Sequence, residues 1–134
     1  MINNSMKIVS IGVDIALCRR IRRLTRFSDK TVSKILLPSE RRIYRKSRDK
    51  VFALGRFFSS KEAVFKSLGL TTFGPVGFRW VEIHFGEGKD PAQHRVTLHG
   101  PLRQKSRNRI SHIFLSSEKI GRHMISQAIS MKLS

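Results

Sequence analysis

The sequence predicts an α+β fold: a single small domain in which an antiparallel sheet packs against one long helix. Three features lead there. A β-branched run stands near the start, a long helical stretch occupies the middle, and alternating apolar segments around turns fill the second half. The length of 134 residues suits one domain spanning 1–134 with one core. Residues 1–5 precede an internal Met6 and read as a short extension of that domain.

Lys7 to Ile15 reads as the first strand, because Ile8, Val9, Ile11, Val13 and Ile15 are β-branched. Gly12 inside it signals a bulge or a close backbone approach. Ala16 to Arg26 reads as a basic amphipathic helix, with Leu17, Ile21 and Leu24 on one stripe and five arginines around the remainder. Ser28 to Leu37 forms a second short helix, with Ser28 as its N-cap. A helical turn restarts at Pro38. Arg48 to Leu68 is the longest helix, and Gly69 ends it.

Thr71 to Gly77 is a loop. Trp80 to Phe85 alternates and pairs, across the turn Gly86 to Pro91, with a return strand Arg95 to Leu98. Pro101 to Arg109 is polar and basic, either a helix or a mobile loop. His112 to Ser116 and Met124 to Met131 are two further strands around a turn at Glu118 to Gly121.

Charge is the compositional outlier. Lys and Arg number 27 against 9 Asp and Glu, a formal net charge of +18. Such a field attracts polyanions, and nucleic acid is the partner that charge alone favours. The single cysteine, Cys18, staples nothing within the chain and suits a reducing, cytoplasmic compartment. No apolar run is long enough to span a membrane, and Asp14 interrupts the first apolar stretch, against a signal peptide. His84, His94, His99 and His123 have no metal-site spacing and read as surface or strand residues.

Chemistry concentrates on the long helix. Glu62 and Lys66 are four apart and share a face, with Arg56 and Lys61 nearby. Taken alone, such a pair is ordinarily a surface contact of about 0.2–0.5 kcal/mol. Asp14, taken alone, also has a reading as a helix N-cap at the strand–helix junction.

The segment Phe58-Ser59-Ser60-Lys61-Glu62-Ala63-Val64-Phe65-Lys66 resembles the Phe-x-x-Lys-Glu-Ala-x-x-Lys signature of holo-acyl-carrier-protein synthases, the 4′-phosphopantetheinyl transferase family. Gly12-Val13-Asp14-Ile15 resembles the family's opening motif. Leu36, Glu40 and Tyr44 fit its Leu-Glu-Tyr element, and Gly88-Lys89-Asp90-Pro91 is an imperfect Gly-Lys-Pro. The resemblance runs from Met6 onward. It implies transfer of 4′-phosphopantetheine from coenzyme A to a serine of an acidic acyl carrier protein, with release of 3′,5′-ADP, in support of fatty acid synthesis. It further implies Mg2+ held by Asp14 and Glu62, catalysis by Glu62 and Lys66, and coenzyme A contacts from Arg56, Lys61, Lys66, Ser116 and Ser117. Arg19, Arg20, Arg23 and Arg26 would meet the carrier protein, and a homotrimer with sites between subunits is the implied assembly.

Two of the chain's departures from the family pattern bear on coenzyme A binding. Phe57 holds the usual arginine position, and Arg56 lies one residue earlier, about 100° round the helix. Near the end, where the family carries Ser-x-Ser-His, this chain has Phe114-Leu115-Ser116-Ser117, which loses a cationic donor. His112 or Lys119 could substitute. The competing readings are an inactive relative that only binds carrier protein, and a basic nucleic-acid-binding module.

Overall fold

A computed structural model describes residues 5–26, 29–70, 77–88 and 90–134. The β-branched opening run forms β1 (Met6–Leu17), extended at both ends beyond the expected strand. Helix α1 (Cys18–Thr25) therefore starts two residues later than expected. Then come α2 (Asp29–Ile35), α3 (Pro38–Lys46) and the long α4 (Lys50–Ser67). The hairpin of β2 (Val81–His84) and β3 (Arg95–Leu98) follows, with a short 3-10 turn at Pro91–Gln93 between them. The chain finishes with α5 (Gly100–Ser106), β4 (His112–Ile120) and β5 (His123–Leu133).

The polar stretch after Pro101 is thus helical at its start. The predicted loop from Thr71 lies, except for Gly77, outside the described residues, as does the Ser28 cap. The last hairpin turns at Gly121, whose φ of 60° is left-handed, so both strands run longer than their apolar cores suggested.

The main sheet is antiparallel in the order β1-β5-β4, and β2 and β3 make a separate two-stranded ribbon. Register in the main sheet pairs Gly12 with Ala128 and Asp14 with Ser126, and on the other side Ser126 with Ser117. Helix α4 lies across the inner face. Along β1 and the middle of β5 that face carries small side chains: Gly12, Ala16, Ser126, Ala128 and Ser130 are all buried. The helix answers with Ser59, Ser60, Ala63 and Ser67, also buried. Small residues let the backbones approach. A Cβ on Gly12 would stand 2.1 Å from the Ala63 carbonyl oxygen, so only glycine fits. Ser130 Oγ donates to the Ser67 carbonyl at 2.7 Å across the same seam.

Side chains alternate on β1, and the apolar set points away from the helix. Ile11, Val13, Ile15 and Leu17 are exposed, with Ile15 at 62%. The core proper lies on the other flanks of α4, where Phe57, Phe65, Leu36, Leu54, Ile83 and Leu115 are fully buried.

Candidate active site

The close approach at Gly12 brings Asp14, two residues further along β1, against α4. Asp14 and Glu62 line one cleft of about 300 Å³ with Ile15, Ala16, Leu17, Arg20 and Phe58. Asp14 is not a helix cap. The residue before α1 is Leu17, in extended conformation and with no side-chain cap bond. Lys66 Nζ donates to Asp14 Oδ1 at 3.1 Å and to the Val13 carbonyl at 3.0 Å. Lys66 therefore crosses to the strand rather than pairing with Glu62, and the simple surface helix pair is not what forms.

Two details give this cleft chemical character. Asp14 Oδ2 is buried and has no hydrogen-bond partner among the described residues. The Glu62 carboxyl is pushed above its ordinary value, first by burial and then by the nearby Asp14 charge, while Lys66 and Arg20 pull it back. An unpartnered carboxylate oxygen beside a second carboxylate held in mutual repulsion is a donor set for a hard divalent cation. Among the described residues no group of three or more acidic, cysteine or histidine side chains gathers to hold a metal. Two carboxylates suffice for magnesium when phosphate oxygens and water complete the octahedron.

Lys61, expected to contact phosphate, lies elsewhere. Its Nζ is fully buried and donates to Glu40 Oε1 at 2.6 Å, the Ile35 carbonyl at 2.7 Å and the Phe78 carbonyl at 3.0 Å. Glu40 also accepts from the Leu37 and Ile83 amides. Burial pushes Glu40 up and Lys61 down, and their mutual attraction opposes both. All three Lys61 donors are used, so the residue is an internal clamp of α2, α3 and β2 onto α4 and has nothing left for a ligand. The spacing carried the signal: Lys61 sits four residues from Phe57 and from Phe65, on the buried stripe.

Arg56 does reach a polar cleft despite its shifted place. Its guanidinium lies 3.7 Å from the centroid of the Phe85 ring. Phe57 takes the buried place behind it, with its ring 5.1 Å from Phe85. Arg56, Ser116 and Ser117, named separately from the sequence, line one cleft of about 440 Å³ with Phe52, Gly88, Pro91, His94, Glu118 and Lys119. Ser117 Oγ is also bonded to Ser126 Oγ at 2.8 Å. His112 is not among the lining residues, whereas Lys119 is. His94, read from the sequence as an ordinary surface or strand residue, is buried here beside Arg56.

The two clefts share no lining residue. Arg56 and Glu62 are six residues apart on α4, about 9 Å along the axis and about 240° round it. Arg19, Arg20, Arg23 and Arg26 are all exposed on or at the end of α1, and Arg20 alone borders the carboxylate cleft. Among the described residues no helix is long and apolar enough to cross a membrane.

Known proteins resemble this chain in sequence and in fold. A family model described as the 4′-phosphopantetheinyl transferase superfamily matches residues 10–123. A holo-(acyl-carrier-protein) synthase from Blochmanniella pennsylvanica is 34% identical over 107 residues, covering 79% of this chain and 86% of that protein. The crystal structure of the synthase from Neisseria meningitidis superposes with a TM-score of 0.78 at 27% identity, covering 94% of this chain and all of that one. The Helicobacter pylori synthase, solved in complex with coenzyme A, gives 0.70 at 25% identity over 90% of this chain and 98% of that one.

Proposed function

The chain belongs to the 4′-phosphopantetheinyl transferase superfamily, and from that premise we propose that it is a magnesium-dependent holo-acyl-carrier-protein synthase. The observation that carries the proposal is the Asp14–Glu62 pair, with its unpartnered Oδ2 and its raised Glu62. Magnesium held there would neutralise pyrophosphate oxygens of coenzyme A. The serine hydroxyl of the carrier protein attacks the β-phosphorus, the bond to the nucleotide phosphate breaks, and 3′,5′-ADP leaves with the electron pair. Glu62 would take the serine proton directly or through water. Lys66, half-exposed and anchored by Asp14, presents positive charge to the leaving group.

The separate clefts and the bare apolar face of β1 support a homotrimer with active sites between subunits. Ile11, Val13, Ile15 and Leu17 would be covered there, and the cleft around Arg56 of one subunit would meet the carboxylates of the next. The exposed arginines of α1 suit an acidic carrier protein and would act mainly on encounter rate. A cytoplasmic role in fatty acid synthesis is the setting this implies.

The test is transfer itself. The protein is incubated with apo carrier protein, coenzyme A and magnesium, and the carrier's mass is followed. A gain of one phosphopantetheine group is expected, and Asp14→Asn and Glu62→Gln should each abolish it while remaining folded. Full transfer by either variant would remove the metal assignment. Carrier binding without transfer by the unaltered protein would leave only a binding role.

A further inference from the structure

The cleft beside Phe52 holds two donors that face each other with no acceptor between them. The Gly86 amide donates to His94 Nδ1 at 3.0 Å. A ring nitrogen that accepts carries no proton, so neutral His94 bears its proton on Nε2. That nitrogen lies 3.4 Å from Arg56 Nη2, which can only donate. Neither group satisfies the other.

Arg56 is unmatched in a second respect. Among the described residues its Nε is buried without a partner and no carboxylate pairs with it. Burial works against its charge. His94 is only 5% exposed and stands edge-on to Phe85, with centroids 5.2 Å apart, so both side chains are braced by one ring. Protonating His94 would drive an Nδ1 hydrogen against the Gly86 amide and set a second cation beside Arg56. Burial first, and Arg56 second, accordingly hold its pKa below the ordinary value, with Asp90 pulling the other way. Lys119, Ser116 and Ser117 add donors along the cleft wall, and Glu118 is its one acidic lining residue among the described residues.

We propose that His94 and Arg56 together hold a phosphate group of the nucleotide half of coenzyme A, with His94 acting as a neutral Nε2–H donor. The proposal rests on the coenzyme A reading above. A phosphate offers several acceptor oxygens at once, which is what two convergent donors, one of them cationic, lack. The ring reaches the ligand in one tautomer because the Gly86 amide fixes the other nitrogen.

The test uses the whole chain and adenosine 3′,5′-bisphosphate as probe, with binding followed by calorimetry. His94→Ala should weaken binding about tenfold, the loss of one charge-assisted hydrogen bond. His94→Gln, which keeps an N–H at similar reach, should recover most of it. Nitrogen-15 spectra of the unaltered protein should show His94 in the Nε2–H tautomer at neutral pH. The Nε2 signal should move on adding the bisphosphate while Nδ1 stays unprotonated. Binding unchanged in His94→Ala, or a doubly protonated ring in the complex, overturns the proposal while the transferase reading stands. If the unaltered protein binds neither the bisphosphate nor coenzyme A, both fall. Should His94→Ala not fold, the glutamine variant and the tautomer spectra decide the matter alone.

Discussion

Replacing Lys61 with Met separates its two possible roles, because a phosphate contact and an internal clamp fail differently. The methionine keeps the volume and removes three donated hydrogen bonds: to Glu40 and to the carbonyls of Ile35 and Phe78. Glu40, with no exposed side-chain surface, is left without a counter-ion and keeps only its two amide donors. Removing one partner of a buried pair destabilises by about 3–5 kcal/mol, and about 4 is the expected loss here. Set against a typical total of about 5–15 kcal/mol, that is a large fraction. It lowers the melting temperature by about 15 °C for a chain of this size. Urea unfolding followed by circular dichroism reads the change as a lower midpoint at an unchanged slope. Adding Glu40→Gln to Lys61→Met removes the orphaned charge and should return at least half of the loss. A Lys61→Met protein of unaltered midpoint whose KM for coenzyme A rises sharply would refute the clamp and reinstate the phosphate contact.

Gly12→Ala should disrupt the β1–α4 seam. Its Cβ would meet the Ala63 carbonyl and the Ser67 nitrogen at 2.1 and 2.5 Å, so refolded yield and thermal stability should both drop, by about 3 kcal/mol or more. The raised Glu62 pKa sets two pH effects. Its stabilising contribution is present below the unfolded value near 4.5 and is lost as pH rises through the higher folded value. Magnesium should therefore raise the melting temperature at neutral pH and lose that effect on acidification. Ile11→Lys with Ile15→Lys should yield monomers by analytical ultracentrifugation, without loss of helix by circular dichroism. Arg19→Glu with Arg23→Glu should slow association with the carrier protein at least tenfold at low salt, and that deficit should shrink as ionic strength rises.

The carboxylate pair was legible only through the family resemblance, and local rules placed its two halves separately. A glycine in a β-branched strand announced a close approach, and Gly12 makes one to Ala63. Helical spacing put Glu62 and Lys66 on one face, and strand alternation put Asp14 on the same face as Gly12. Element types followed the hydrophobic periods, and the errors gathered at boundaries, as where β1 runs on to Leu17 and displaces the start of α1. Which face of β1 is covered was not legible. The alternation of apolar residues marks two faces but not which one the chain itself buries, and here small residues meet the helix while Ile11 and Ile15 stay bare.

Lys61 and His94 show the same limit at the level of single side chains. A lysine inside a family-like motif reads as a ligand contact until Glu40, 21 residues earlier, is seen to reach it through the helix packing. A histidine without metal spacing reads as bland until the turn at Pro91–Gln93 folds it back onto Arg56, 38 residues away. Both outcomes depend on long-range contacts between charged or polar groups, which carry no period. Burial then decides what each does. Lys61 has every donor answered inside the protein and is structural. Arg56 and His94 have donors left over at a cleft wall, and unsatisfied donors beside solvent are where an anion gains most on binding.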